Sequence, residues 1–267
     1  MNGRAELTFA RRGARTVLAA SRLDAPMAIV RPFEWPDGRL VVPLISLGPG
    51  LCGGDRVSID VNAEPGAQVV VTTTAASRIM SMSLGEQATQ HVTLRAHEES
   101  SLEYYPSVTI PFPDGALTQV VQVHAATTAR IGLVETWALG RTARGEYLQF
   151  RNLSSRTTVA VGGELRYADA THLQPATADL TGAGILAGHR YLANGVWFGG
   201  SAGIDAPLEA APDAEVLMAF GRSHAGCVYL RALARQGPAL NAVLRAATDR
   251  IACGWGLGPL CLDRFTC

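Results

Sequence analysis

The chain has 267 residues, of which 48% are hydrophobic and 17% are charged, and its 23 basic residues balance its 23 acidic residues. A neutral chain lacks the basic face that a nucleic-acid-binding protein needs. The basic residues are all arginine, so a Schiff-base lysine and the lysine of a P-loop are both excluded. Any nucleotide hydrolysis in the pathway of this protein would therefore belong to another chain.

The N-terminal segment and the cysteines predict a cytoplasmic protein. Met1 to Ala10 has no long apolar run, so we expect no signal peptide, and no run of about 18 apolar residues predicts a membrane span. The cysteines are odd in number and scattered, without a CxxC pair: Cys52, Cys227, Cys253, Cys261 and Cys267. This pattern favours reduced thiols over a disulfide framework or a zinc site.

Most of the chain is predicted to form short β-strands. Strand-like patterns cover residues 5–20, 67–74, 91–97, 102–105, 118–124, 129–137, 148–161, 164–167 and 215–220. The clearest alternation runs from His91 to His97, with Val92, Leu94 and Ala96 on one face. Many short strands between turns are typical of a β-sandwich, a barrel or a solenoid-like stack. No fixed-period repeat is present, so the residues alone do not support a regular solenoid.

One segment near the C-terminus predicts a helix. Pro238 occupies a position that the first turn of a helix allows, and the pattern continues to Ile251. The apolar side chains recur at helical spacing and form one stripe, made of Leu240, Val243, Leu244, Ala247 and Ile251. We expect this stripe to contact the core, with a partner-binding face as the alternative.

A glycine-rich stretch, Gly48 to Asp55, connects two predicted strands. Four of its eight residues are glycine, which favours positive φ angles and a tight turn. It is either a structural turn or a place where Asp55 is presented beside closely approaching backbone.

Common catalytic motifs are absent from the sequence. It contains no GxSxG and no HExxH, and the GxGxxG string at Gly48, Gly50 and Gly53 leads into a strand rather than a helix, so no dinucleotide site is expected. Four carboxylates lie in or beside apolar strand-like segments, namely Asp55, Glu103, Glu135 and Glu146. Acids are rarely buried without a partner, and Arg78 and Arg141 are candidate partners. These acids form either structural ion pairs or a polar path, in which hard oxygen ligands would hold a divalent ion loosely.

Several motifs, in order along the chain, resemble the UreD (UreH) family of urease accessory proteins. They are Ala25-Pro26-Met27 with Arg31-Pro32-Phe33, Gly50-Leu51-Cys52-Gly53-Gly54-Asp55, Pro65-Gly66-Ala67 with Thr72 to Arg78, Leu102 to Pro106 with Ile110-Pro111-Phe112, and Gly140 to Glu146. The sequence departs from the family pattern at Thr74, Arg78, Ser107 and the C-terminal end from Gly256 to Cys267.

The resemblance implies a fold and a role. The fold would be mainly β, a single UreD-like domain over residues 1–267, built as a β-helix-like stack of many short strands with about two helices, the clearer one near 238–251. The protein would be a non-enzymatic scaffold that binds UreF and, through it, the GTPase UreG, docks on apo-urease and helps to deliver nickel. We expect no tightly bound cofactor, only transient nickel.

The resemblance also suggests which residues matter. Asp55, Glu103, Glu146, Thr72 and Thr73 are the candidates for a nickel path or polar tunnel. Close backbone approach would depend on Gly50, Gly53 and Gly54, and bracing on Arg78 and Arg141. No catalytic residue and no firmly bound metal are expected.

Two other functions are compatible with the residues. One is a β-barrel or sandwich hydrolase with Asp55 and Glu146 as paired carboxylates, which would have to lie about 5 to 9.5 Å apart across a cleft. The other is an interaction module through which no metal passes. High apolar content with low charge also predicts exposed apolar surface for a partner and poor solubility without it.

Overall fold

The computed structural model describes residues 1–200 and 215–260. Cys261, Cys267 and most of the divergent C-terminal end lie outside the described residues. The strands are β1 Asn2–Arg12, β2 Arg15–Asp24, β3 Met27–Ile29, β4 Phe33–Glu34, β5 Leu40–Ser46, β6 Arg56–Ala63, β7 Gln68–Thr73, β8 Ser77–Ile79, β9 Ala88–Ala96, β10 Ser101–Tyr105, β11 Thr109–Pro111, β12 Ala116–Ala125, β13 Arg130–Ala138, β14 Asn152–Val161, β15 Glu164–Leu173, β16 Tyr191–Phe198, β17 Val216–Arg222 and β18 Val228–Ala234. The α-helix found in these ranges is α1, Gly237–Gly254, and Thr142–Arg144 forms one 3₁₀ turn.

The strands form two sheets. Sheet A has seven strands in the order β15-β14-β12-β9-β6-β1-β2, and sheet B has the main order β17-β18-β16-β13-β10-β7-β5-β3. The central strands of each sheet pair in parallel with strands from neighbouring coils of the chain, whereas the ends of both sheets are antiparallel. The chain alternates between the two sheets, and it makes about four stacked turns of a solenoid.

The coils differ in length, which explains why the sequence has no fixed repeat. The registers that join neighbouring coils in sheet A are Arg56↔Thr89, Ala88↔Leu117 and Ala116↔Asn152. These pairs are 33, 29 and 36 residues apart. The prediction of a β-helix-like stack is confirmed, although each coil has its own period.

Buried and more exposed side chains alternate along the strands of sheet A, and the buried ones form the inner core. Along β6 every second side chain is buried, and Val57, Ile59 and Val61 pack in one cluster with Val69 and Val71 of sheet B. Buried β-branched residues suit such a pleated surface. The inner core therefore lies between the two sheets.

Sheet B is covered on both faces, because α1 packs on its outer side. Val243, Ala247 and Ile251 of α1 pack with Val70 and Val134 of the sheet, so the predicted stripe is a core contact. The predicted helix at 238–251 is confirmed, with Pro238 in its first turn. Strands make up 52% and helix 9% of the structure. None of the described helices has the length and apolar character needed to cross a bilayer.

Candidate functional site: an interior cavity beside Glu135

A cavity of about 200 Å³ lies between the two sheets. Its mouth is formed by residues 48–51 of the glycine-rich stretch and by residues 73–78, which lead from the end of β7 through a short loop into β8. Its inner wall includes Tyr104, Gln119 and Glu135, from β10, β12 and β13. The cavity therefore reaches from a glycine-built rim to a buried carboxylate.

Glu135 is held by neutral donors from the opposite sheet. The Ser155 hydroxyl donates to its Oε1 at 2.9 Å and the Thr157 hydroxyl to its Oε2 at 2.6 Å, while the Gln119 amide also donates to Oε1. Burial raises the pKa of Glu135, and the hydrogen bonds from Thr157 and Ser155 act in the opposite direction. Among the described residues no arginine forms an ion pair with it. An ionised Glu135 would thus direct uncompensated negative charge toward the cavity.

The chemistry of this wall suits weak cation binding. Carboxylate, amide and hydroxyl oxygens are hard ligands that bind divalent ions through a partly retained water shell. Over residues 1–200 and 215–260, no three His, Cys, Asp or Glu side chains come together as a metal-binding group. A single carboxylate with neutral oxygens can hold a hydrated cation briefly and release it.

Several residues expected at the site lie at the cavity mouth. Thr73, Arg78 and Gly50 line the cavity. Gly50 has φ +149°, and a Cβ there would lie 2.5 Å from the Arg78 carbonyl oxygen, so only glycine permits this contact between the two loops. Thr72 is fully buried beside this group, and its hydroxyl donates to the Tyr105 carbonyl at 2.7 Å.

Asp55 closes the glycine-rich turn and does not line the cavity. Its Oδ2 accepts the Cys52 amide at 2.8 Å, and its Oδ1 lies 2.6 Å from the amino group of Met1. Gly54 has φ +78°, and a Cβ at Gly53 would meet the Glu86 side chain at 2.4 Å. These contacts give Asp55 a role in shaping the turn.

Glu103 lies away from the cavity and pairs with a buried arginine. The Arg39 Nη1 atom is 2.8 Å from Glu103 Oε1, and the two side chains are 0% and 1% exposed. Arg39 also pairs with Asp37, and its Nη2 donates to the Gly258 carbonyl at 2.6 Å. Burial raises the pKa of Glu103 while Arg39 opposes the shift. Burial likewise disfavours the charge of Arg39, but hydrogen bonding to Asp37 and the charge of Glu103 raise its pKa.

This ion network, together with nearby hydrogen bonds, holds residues 255–260 against sheet B. We call these residues the strap. The Trp35 indole donates to the Pro259 carbonyl at 3.1 Å, the Gly258 amide to Asp37 Oδ2 at 3.1 Å, and Arg130 to the Trp255 carbonyl at 2.9 Å. Glu103 is therefore placed as a brace for the C-terminal layer.

Glu146 and Arg141 pair with each other near the surface, on either side of the 3₁₀ turn. Arg141 Nε is 2.5 Å from Glu146 Oε2, and the guanidinium lies 4.0 Å from the centre of the Phe112 ring. Neither residue lines a cavity that the structure describes. Asp55 and Glu146 are each engaged in separate contacts, and no described cavity contains both, as the paired-carboxylate hydrolase would require.

The structure thus brings together part of the expected set and adds residues that were missed. Gln119, Ser155 and Thr157 were not among the expected site residues, and Glu135 was named only as one of the four strand-associated carboxylates. Gln119 lies between Leu117 and Val121 on the buried face of β12, and the other two occupy buried positions of β14. Polar residues at inward positions of an otherwise apolar strand face were the available signal.

The chain is similar to known urease accessory proteins over its whole length. The family model described as UreD urease accessory protein matches residues 1–266. A Deinococcus radiodurans protein named urease accessory protein UreD is 34% identical over 263 residues, 98% of this chain and 94% of its own length. A Synechococcus protein named urease accessory protein UreD 1 is 39% identical over 193 residues, covering 72% of each chain. A Herpetosiphon aurantiacus protein named urease accessory protein UreD is 33% identical over 224 residues, 84% of this chain and 77% of its own.

Proposed function

The chain belongs to the UreD family of urease accessory proteins, and from this we propose that it is a scaffold of the urease activation complex that passes nickel toward apo-urease. In this proposal residues 1–267 act as one UreD-like domain in the cytoplasm. The domain binds a UreF-type protein and, through it, a UreG-type GTPase. It does not catalyse a reaction, and nickel is its cargo rather than a resident cofactor.

The observation that carries the proposal is the position of Glu135. Its carboxylate lies at the wall of an interior cavity, and its hydrogen-bond partners among the described residues are neutral. A cation moving through the protein needs an attractive interior group, because a charge in an apolar interior is strongly disfavoured. The need to release the cation argues for few ligands, as found here.

The expected site residues divide into two roles within this proposal. Gly50, Thr72, Thr73 and Arg78 shape the mouth of the path. The remaining acids are structural: Asp55 fixes the glycine-rich turn, Glu103 holds the strap through Arg39, and Glu146 pairs with Arg141.

The first experiment is reconstitution of urease activation from purified components. Apo-urease, UreF-type and UreG-type partners, nickel, bicarbonate and GTP are combined with and without this chain, and urease activity is followed. We expect activation to require the chain. Equal activation without it would contradict the proposal and return the plain interaction module to consideration.

The second experiment tests the role of Glu135 by a Glu135→Gln substitution. We expect the rate of nickel-dependent activation to fall roughly tenfold, the size of losing about 1.4 kcal/mol of favourable interaction with the cation. Co-elution with the partners should be unchanged, because Glu135 is buried.

Glu103→Gln is the matched control. Both glutamates are buried and both lie in sheet B, but Glu103 faces Arg39 rather than the cavity. Activation by folded Glu103→Gln should match that of the parent protein. The comparison is made at equal concentrations of folded protein, because loss of the buried Arg39 pair destabilises Glu103→Gln. If the folded variant still slows activation as much as Glu135→Gln does, the path does not run along the inner cavity.

A further inference from the structure

The solvent-facing side of sheet A carries an excess of basic side chains, although the whole chain is neutral. Its central strands β9, β12 and β14 contain no aspartate or glutamate at any position. The exposed positions here, counting the residue after β9 and one residue of β15, hold two arginines and four histidines: His91, Arg95, His97, His124, Arg156 and His172. We call the outer surface of β6, β9, β12, β14 and β15 the basic face.

The arginines of the basic face are only partly neutralised. Arg95 Nη1 lies 3.6 Å from Asp60 Oδ1 on β6, which is a long and half-exposed pair. Arg56 of β6 and Arg156 of β14 are exposed, and within the described residues neither forms an ion pair. These two guanidinium groups are therefore available to carboxylates from outside the chain.

The excess of positive charge is confined to one part of sheet A. On β1, Arg4 pairs with Glu6. On β2, Arg22 pairs with Asp24. Acidic residues return in the turn after β9, at residues 98 and 99, which lie at the rim rather than on the strands. The charges of the hairpin β1–β2 are thus balanced within each strand, whereas those of the basic face are not.

The two unpaired arginines lie far apart on the face. Arg56 is in register with Thr89 of β9, whereas Arg156 is in register, through Val120, with His91. Three strand spacings and a step of two residues separate them, which places their Cα atoms about 16 Å apart. Adjacent carboxylates on a short peptide would not reach both, so the complementary acids must be spread over a folded surface.

The basic face also has the size and the centre of an interface. Five strands of eight to ten residues cover roughly 20 Å by 30 Å, or about 600 Å². A standard protein interface takes about 800 Å² from each partner. Between the charged groups lie small apolar side chains that are partly or fully exposed, namely Val120, Ala160, Ala168 and Ala170. Such a centre allows close approach, and the charges around it set the orientation of the partner.

We propose that the basic face is a docking surface for a folded protein that presents an acidic face. The inference rests on the proposed function, since the occupant is taken to be one of the proteins of the activation complex, but it does not involve the interior cavity. A nucleic acid fits less well, because its closely spaced phosphates call for a dense basic face and this one has two unpaired arginines.

Reversing the two unpaired charges tests the inference. The reversal variant is Arg56→Glu with Arg156→Glu, and the lysine variant, Arg56→Lys with Arg156→Lys, keeps the charge. The control variant is Arg144→Glu with Arg235→Glu, which reverses two exposed arginines outside the face. Affinity for purified apo-urease, UreF-type and UreG-type proteins, singly and mixed, is measured from about 50 to about 300 mM salt, a range over which screening of exposed charges increases. Unfolding midpoints confirm that each variant is folded.

We expect the reversal variant to bind one of these proteins at least roughly tenfold more weakly at low salt, mainly through slower association. The affinity of the parent for that protein should fall as salt rises, and the lysine and control variants should match the parent within about threefold.

Other outcomes separate the inference from the proposed function. If activation requires the chain but the reversal variant binds all three proteins like the parent, the inference is wrong and the proposed function stands. If the control variant weakens binding equally, net charge sets the affinity and the inference is rejected. Tighter binding of a heparin probe than of any of the three proteins, lost in the reversal variant, would identify a polyanion site instead. If activation proceeds without the chain while the reversal variant still loses one partner, the docking surface stands and the proposed function falls.

Discussion

Three buried or half-buried glutamates of this protein illustrate how neighbours decide the role of a carboxylate. Glu135 has neutral hydrogen-bond donors and a cavity, Glu103 has a buried arginine, and Glu146 has an arginine near the surface. The same side chain therefore lines a cavity in one place, braces the C-terminal layer in another and forms a near-surface ion pair in the third.

Glu103→Gln should destabilise the protein strongly. The substitution leaves the fully buried guanidinium of Arg39 with Asp37 as its one acidic partner among the described residues, and breaking a buried pair costs about 3 kcal/mol or more. Urea unfolding at neutral pH measures the change. Glu146→Gln is the control, and because near-surface pairs contribute little, we expect a loss below about 1 kcal/mol. Equal losses in the two variants would contradict the assignment of Glu103 as a brace.

Glu135 should make the stability of the protein depend on pH in a direction opposite to that of a salt-bridged acid. Burial raises its pKa above the ordinary value of 4.5, so the folded protein holds this proton more tightly than the unfolded chain does. Its contribution to the free energy of unfolding therefore falls as pH rises from about 4.5 through the folded pKa, and it is favourable below that window. Unfolding midpoints of the parent and of Glu135→Gln, measured against pH, should diverge with the variant becoming relatively more stable at higher pH. Parallel curves would show that Glu135 titrates normally.

At the scale of the element, the glycine-rich turn depends on both backbone conformation and space. Gly50→Ala combines a positive φ with a Cβ that would lie 2.5 Å from the Arg78 carbonyl oxygen, whereas Gly54→Ala has φ +78° but open space around it. We expect Gly54→Ala to cost about 1 kcal/mol and Gly50→Ala about 3 kcal/mol. Thermal or urea unfolding compares the two, and a Gly50→Ala protein as stable as Gly54→Ala would mean that the two loops move apart freely.

Sequence patterns were sufficient for the elements that have one buried face. The apolar stripe of α1 predicts both the helix and its contact, and the alternation from His91 to His97 predicts a strand that matches β9 up to Ala96, one residue short of His97. In β10 and β13 nearly every residue is buried, because sheet B has the inner core on one side and α1 with the strap on the other. With no alternation to follow, the sequence could not reveal that Glu103 and Glu135 point to opposite faces.

At the scale of the whole molecule, the stacking of coils could not be deduced from the residues. The 29- to 36-residue offsets between paired strands leave no repeat to detect, and the family resemblance supplied that expectation. The gap in sheet B between β10 and β11, beside residues 134–136, was likewise hidden, since it depends on which strands become neighbours. Leu217 is 50% exposed and Leu84 92% exposed, one on β17 and one in the loop before β9, and the apolar surface expected for a partner stays a prediction.

Leu217→Lys should make the isolated protein more soluble. Leu217 lies on β17, which ends sheet B in the part of the chain that the structure describes, and such an edge can pair with other chains. A lysine on an edge strand opposes that pairing. Light scattering against concentration should show a higher onset of aggregation, with an unchanged unfolding midpoint. Leu84→Lys, in a loop, is the control, and an equal gain there would assign the effect to charge alone.

The strap has a consequence for how the chain folds during its synthesis. Each coil pairs mainly with the coil before it, so the two sheets can assemble progressively as the chain leaves the ribosome. α1 and residues 255–260 emerge after all the described strands, yet they cover Val41, Val70 and Val134 and supply a partner for buried Arg39. Until these residues are synthesised, the outer face of sheet B exposes its apolar side chains and the Arg39–Glu103 ion pair, both of which are buried in the complete fold. This is the interval in which a nascent-chain chaperone would have most to protect.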